Sequence, residues 1–264
     1  MPLSLNKRCK RYKRIIDLGN LIGFFMQFDI LTIFTEYFDV LKFSLLGKAI
    51  EEGKFAVNVV DIRDFSQDKH RKTDDTPYGG GAGMVMTPDP IVRAIEAIDP
   101  NHEAHRIYMS PRGRTLNQSK VESLAKKDRI LLLCGDYEGI DERVIDLCID
   151  EEVSIGDYVL TGGELPALVL INSVARYIDG VLGSSESTSD ESFSKGLLEY
   201  PQYTRPEVYR GLRVPEVLLG GNHNDISRWR KEKSIEITMQ RRPDLLANMD
   251  ISPFMPKKQK KRRK

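Results

Sequence analysis

The sequence is poor in cysteine: Cys9, Cys134 and Cys148 are the only three in 264 residues, and no two form a C-x-x-C pair. An odd, widely spaced set provides neither a disulfide framework nor zinc-site spacing, which fits a reducing compartment. Uninterrupted apolar runs are short as well. None approaches the roughly 20 residues that a membrane helix needs, so the expectation is a cytoplasmic protein without membrane contact. The start of the chain imitates a secretion signal, with basic residues ahead of "IIDLGNLIGFFM", but Asp17 and Asn20 interrupt the apolar part and no A-x-A pattern follows. Residues 1–25 are therefore expected to form an N-terminal extension outside the fold.

Net charge is the third scarcity, +1 from 40 basic and 39 acidic residues. It conceals an asymmetry. Lys7, Arg8, Lys10, Arg11, Lys13 and Arg14 crowd the start, seven of the eight residues 257–264 are basic, and neither tail holds an acid. Without the tails, 27 bases face 39 acids, a body about 12 charges negative. A polyanion would have to be held by the tails or by local basic patches. Composition describes solvated, disordered tails equally well.

What is present is a long alternation of strand and helix patterns. "FDILTIF" has strand length, "YFDVLKFSLLGKAIEEG" takes helical spacing and ends on Gly53, and "FAVNVVDI" is again a strand. "TPDPIVRAIEAI" predicts a helix with Thr87 as N-cap and Pro88 in its first turn. "RIYMS", "RILLLCG" and "EEVSIGDYVL" predict strands, with helices over "NQSKVESLAKK", "DERVIDLCI" and "GELPALVLINSVARYI". Repeated βα units imply an α/β fold with a largely parallel sheet. Residues 180–196 are rich in Ser, Gly and acids and lack periodicity, as a linker or mobile loop does, and a domain boundary is expected there. Beyond it, "DISRWRKEKSIEITMQRRPDLL" reads as a basic helix with Trp229 on its apolar side.

Two glycine clusters invite a phosphate reading and fail it. "GDYVLTGGEL" has Glu164 where a phosphate loop requires lysine, and "PYGGGAGM" puts Met84 in the last glycine position of a dinucleotide fingerprint. The first cluster offers close backbone approach without positive charge at the end of a strand. That suits either a tight strand-to-helix turn or one wall of a site for a neutral or cationic ligand.

Taken together, "FDILTIF", "RDFSQDKHRKTDDTPYGGGAGM", "YMSPRGRTLNQ", "LLLCGDYEGIDERVID", "EEVSIGDYVLTGGELPALVLINSVARYIDGVLG" and "GLLEYPQYTRPEVYRG" resemble, in order and spacing, the bacterial tRNA (guanine-N1)-methyltransferases of the TrmD type, a SPOUT-class family. The resemblance covers roughly residues 26–250. It implies a SPOUT domain over 26–182 with a deep trefoil knot in its C-terminal part, a loop or linker over 183–196 and a small α-helical, tRNA-binding domain over 197–255. A basic tail, 256–264, follows. It further implies a homodimer with shared active sites, S-adenosyl-L-methionine as methyl donor, and N1 of guanosine 37, next to the anticodon, as acceptor.

By motif, three loops are expected to hold the cofactor. The first contributes Tyr108, Met109, Ser110 and Arg112, and the second Gly135, Tyr137, Glu138 and Gly139. The third contributes Ile155, Gly156, Asp157, Tyr158, Val159, Leu160, Gly162 and Gly163, with Pro166. A sulfonium cation accounts for the missing lysines. The resemblance places a charge-stabilising arginine at Arg176 and the carboxylate base in "SDESFSKG". There the family commonly has Asp directly before "SF", whereas this chain has Glu191, with Asp190 one position earlier. Glu191 is the expected base because it keeps the register, and Asp190 is the alternative. Similar enzymes require magnesium, for which Glu138 and Glu191 are the candidates. Asp136 and Thr35 also depart from the common Arg and Pro. For tRNA contact the resemblance points to residues 68–75, to "YTRPEVYRG" and to the helix around Arg228 and Arg230. A non-catalytic RNA-binding module and a small-molecule methyltransferase are the competing readings; the cofactor loops with Arg176 weigh against the first, and the C-terminal segment against the second.

Overall fold

A computed structural model of the chain describes residues 26–182 and 191–247, which fall into two compact units. The expected N-terminal extension over 1–25, the expected basic tail over 256–264 and Asp190 lie outside these residues. In the first unit, a parallel sheet is assembled from β1 (Met26–Thr32), β2 (Phe55–Asp61), β5 (His105–Thr115), β6 (Arg129–Cys134) and β7 (Glu151–Ser154) in the order β2-β1-β6-β5-β7. A short antiparallel pair, β3 (Asp74–Asp75) and β4 (Val85–Met86), stands outside it. From Ile130 to Cys134 central β6 is apolar because both faces are covered. Ile130, Leu132 and Cys134 pack with Phe28 and Phe55 toward α1 (Ser44–Glu51), α3 (Gln118–Leu124) and α5 (Glu164–Ala175). Leu131 and Leu133 pack on the other face with Ile91 and Ile95 of α2 (Pro88–Ile98) and Val144 of α4 (Glu142–Cys148).

Local chemistry departs from the sequence pattern at several boundaries. The helix expected from Tyr37 to Gly53 is two pieces, a 3-10 helix Thr35–Lys42 and α1, separated at Phe43, with Ser44 at φ 60°. Thr87 does precede α2, but its hydroxyl donates to the Thr73 carbonyl (3.1 Å) rather than capping the helix. Strand β5 runs past Ser110, since after an irregularity between Met109 and Arg114 it pairs again with β7, Thr115 opposite Ser154. The strand expected over 151–160 stops at Ser154 instead. Its hydroxyl turns back onto the next residues, accepting from the Gly156 amide and donating to the Gly156 carbonyl (2.9 Å), and so ends the ladder.

The second unit contains a two-stranded ribbon that the sequence pattern did not reveal, β8 (Val208–Tyr209) with β9 (Leu212–Arg213), and then α6 (Glu216–Leu219) and α7 (His223–Arg241). The helix expected to reach residue 246 ends at Arg241 because Pro243 cannot donate its amide, and a 3-10 turn, Pro243–Leu246, follows. Trp229 is half-buried and packs against Tyr203, ring centroids 6.2 Å apart. Among the described residues no helix is long and apolar enough to cross a membrane.

Two buried acids tie the base of the sheet. Asp29 accepts from Arg129 Nε (2.7 Å) and Asn58 Nδ2 (2.8 Å). Asp99 accepts from Arg106 Nε (2.7 Å) and from the Glu103 amide (2.8 Å). Burial opposes ionisation of Asp99, but the Arg106 and amide hydrogen bonds outweigh it and hold its carboxyl below the usual range. Its stabilisation is therefore present above the unfolded value near pH 4 and is lost as pH falls through the lower folded value. Asp99→Asn leaves Arg106 buried without a carboxylate and is expected to lower stability by about 3 kcal/mol in urea unfolding at pH 7; the difference from the parent shrinks below about pH 4.

Candidate functional site

Open parallel sheets bind ligands beyond the carboxyl ends of their strands. Here β6, β5 and β7 are neighbours, and the loops leaving them converge. The Gly163 amide donates to the Gly135 carbonyl (2.9 Å), and Asp136 bridges to Gly162. Neither glycine of the seam tolerates a side chain without displacement: a Cβ on Gly163 would meet Cys134 Cα at 2.8 Å, and one on Gly135 would meet the Tyr108 hydroxyl at 2.8 Å. The turn "GG" thus serves close backbone approach.

The convergence leaves two adjoining clefts that share Ser110, Pro111, Leu160 and Gly162. One, of about 400 Å³, is lined by Met109, Gly135, Ile155, Tyr158, Gly163 and Pro166 together with Val153 and Ser154, and no charged residue touches it. The other, of about 740 Å³, is lined by Tyr108, Arg112, Tyr137, Glu138, Gly139 and Val159, with Asp136 and Glu142. Its single base, Arg112, is already engaged by Glu142 (2.9 Å) and Glu152 (3.4 Å), which raise its pKa. The space is therefore acidic on balance. Burial pushes the Tyr108 hydroxyl up to about 12, with Glu152 adding to it, so this phenol stays neutral. Burial raises Tyr137 as well, followed by Asp74 and Asp136.

Of the residues expected at the cofactor, Gly156 and Asp157 line neither cleft, and Asp157 is exposed. Gly156 packs under the next aromatic instead, since a Cβ there would meet Tyr158 Cε1 at 2.5 Å. Arg176 is half-buried and caps the C-terminus of α5. Twelve helical residues span about 18 Å, and Pro166 is the α5 residue that lines the uncharged cleft, so Arg176 stands at the far end of the helix from it. Glu191 is half-buried at the start of the second unit.

Sequence reasoning passed over three contributors. Glu164, named only for failing as a cation, is buried at the first turn of α5, where it accepts from the Thr32 hydroxyl (2.6 Å). Burial drives its carboxyl above the ordinary range, the Thr32 bond pulling the other way and Asp136 adding to the rise. Gly83 and Met84, from the failed dinucleotide cluster, support the second loop: the Glu138 amide donates to the Met84 carbonyl (3.0 Å), and a Cβ on Gly83 would strike Glu138 Cγ at 2.5 Å. The cluster of glycines was the available signal. Among the described residues no group of three or more His, Cys, Asp or Glu gathers as a metal site.

An uncharged cleft beside an acidic one fits a ligand with a neutral, ring-bearing end and a cationic end, as S-adenosylmethionine is. Comparisons with known proteins identify the family. A family model described as tRNA (Guanine-1)-methyltransferase TrmD matches residues 26–248. The tRNA (guanine-N(1)-)-methyltransferase of Caldanaerobacter subterraneus subsp. tengcongensis is 56% identical over 228 residues, 86% of this chain and 94% of that protein. Those of Clostridium botulinum (strain Hall) and Moorella thermoacetica are each 53% identical, over 227 and 232 residues, again 86% of this chain and 94% and 93% of theirs. The chain belongs to the tRNA (Guanine-1)-methyltransferase TrmD family.

Proposed function

We propose that the protein is a tRNA (guanine(37)-N1)-methyltransferase, an enzyme that methylates N1 of guanosine 37 in tRNA with S-adenosyl-L-methionine as donor. The observation that carries this reading is the glycine-seamed junction of three loops, uncharged on one side and acidic on the other. The cofactor, when bound, supplies a methyl group already activated on a sulfonium. The protein has to align that methyl with the acceptor nitrogen and move one proton.

The uncharged cleft, with Met109, Ile155, Leu160 and Pro166 as walls and backbone groups of Gly135, Gly162 and Gly163 at close range, takes the adenosine end. Asp136 and Glu138 give the adjoining cleft the charge that a cation seeks. Guanine N1 carries a proton, and its removal places negative charge on O6. Glu191 accepts that proton and Arg176 balances the oxygen as nitrogen forms its new bond to carbon and the carbon–sulfur bond breaks, leaving a neutral thioether.

Arg176 stands about one α5 length from the cleft of its own chain, which supports a homodimer in which one protomer's arginine serves its partner's cleft. Exposed Leu165 and Val169 on α5, with Tyr37 and Val40 on the 3-10 helix, offer the apolar face that such pairing requires. The trefoil knot belongs to the same reading, supported by the return of the 155–163 loop against residues 134–136. Residues 26–182 form the methyltransferase domain, 183–196 the active-site loop, and 197–255 the tRNA-binding domain. The enzyme acts in the cytoplasm, with its substrate. In the 68–75 segment Arg71 is tied to Asp61 and Asp64, and Lys72 lies 3.5 Å from Asp75, leaving Lys69 and His70 on the exposed turn. Phosphate contact from the second unit falls to Arg210 and to Arg228 and Arg230 of α7, and Arg230 lies over the Tyr200 ring at 4.7 Å.

Gly163→Ala is expected to weaken S-adenosylmethionine binding by at least about tenfold in calorimetry, because the added methyl collides with Cys134 backbone. Unchanged affinity removes the seam from the cofactor site. Glu191→Gln is expected to slow single-turnover methylation of a tRNA transcript by at least about a hundredfold, and Asp190→Asn by less than about threefold. The opposite pattern assigns the base to Asp190.

A further inference from the structure

Within the second unit, the segment that opens on Glu191 is folded on itself and then fastened to α7. The Glu191 carbonyl accepts from the Ser194 amide (3.3 Å) and hydroxyl (2.7 Å). The Phe193 amide donates to Leu197 (2.7 Å), and the Glu199 amide donates to the Ser192 hydroxyl (3.0 Å). Phe193 occupies left-handed backbone, φ 76°, a conformation that a bulky residue adopts only when its surroundings enforce it.

Two contacts from α7 and its end supply that enforcement. The Leu198 amide donates to Thr238 Oγ1 (2.9 Å), and the same hydroxyl donates to the Ser234 carbonyl one turn back (2.6 Å). Thr238 is fully buried, so its hydroxyl is the internal acceptor for that amide. The Arg242 guanidinium lies 5.8 Å from the Phe193 ring centroid and is itself fixed by two hydrogen bonds to Asp244 (2.9 and 2.6 Å). The helix that presents Arg228, Arg230 and Lys231 to solvent is thus also the anchor of the turn that begins at Glu191.

We propose that Thr238 and Arg242 are positioning residues for the Glu191 carboxylate, so that α7 couples tRNA engagement to placement of the base. This rests on the reading of Glu191 as the base. A rigid helix gripping phosphates and holding this turn fixes the carboxylate relative to the bound nucleotide, where an unanchored turn would sample many orientations. The residues act through backbone and ring contacts and touch no reacting atom.

The test compares Thr238→Val, Thr238→Ser, Phe193→Gly and Glu191→Gln in the full chain, using a tRNA transcript with G at position 37. Single-turnover methylation at saturating S-adenosylmethionine and tRNA is measured alongside KM for the cofactor, tRNA Kd and thermal unfolding. Thr238→Val and Phe193→Gly are expected to slow the saturated rate by about tenfold or more with KM and Kd within about twofold, and Thr238→Ser to recover most of it. Phe193→Gly removes the ring while easing the backbone, so it reports even where Thr238→Val fails to fold. Parental rates in Phe193→Gly and in folded Thr238→Val, with Glu191→Gln inactive, overturn the proposal and leave the base assignment standing. A loss confined to tRNA Kd overturns it as well, reducing α7 to a binding element. Parental activity in Glu191→Gln overturns the base assignment itself.

Discussion

The amide of Gly163 reaches the carbonyl of Gly135 over 2.9 Å, and the rest of the site depends on that approach. It joins the end of β6 to the start of α5 and fixes where the intervening loop must run. A side chain on either glycine would meet Cys134 Cα or the Tyr108 hydroxyl at 2.8 Å and push the loops apart. The seam in turn requires a rigid floor, which the two-faced packing of β6 provides through Ile130, Leu132 and Cys134 on one side and Leu131 and Leu133 on the other. Backbone proximity here is a property of the core as much as of the loop.

Around that seam, charge is partitioned rather than spread. One cleft is lined by neutral groups only, and the neighbouring one by Asp136, Glu138 and Glu142 around an already neutralised Arg112. The body of the chain is acidic, while α7 carries a cluster of bases that includes Arg228, Arg230 and Lys231. Separation also appears along α5, whose N-terminus faces the cleft while Arg176 caps its far end.

The alternation of strands and helices was legible because each core segment keeps one period, and "RILLLCG" reads as a strand from the apolar run that follows Arg129. The end of β7 was not, since "SIGDYVL" continues an apolar pattern that Ser154 and Gly156 interrupt by hydrogen bonds two residues apart. The extension of β5 past Ser110 escaped for the converse reason: Pro111 and Gly113 suggest a stop, yet the pairing resumes at Arg114. Most of the candidate site came from motif resemblance and not from periodicity. The roles of Glu164 and Gly83 depend on contacts with Thr32 and Glu138, and no local pattern announces partners 132 and 55 positions away. Gly156 and Asp157 are motif neighbours that line neither cleft, although Ile155 and Tyr158 on either side of them do.

The central claim is that this cleft delivers a methyl group to one ring nitrogen of one nucleotide. Its most direct test is transfer of labelled methyl from S-adenosylmethionine to tRNA transcripts carrying G or A at position 37, with the modified nucleoside identified by mass spectrometry. The account predicts 1-methylguanosine at position 37 of the first transcript and no product from the second. Equal labelling of both transcripts, or methylation at a different guanine atom, would contradict it.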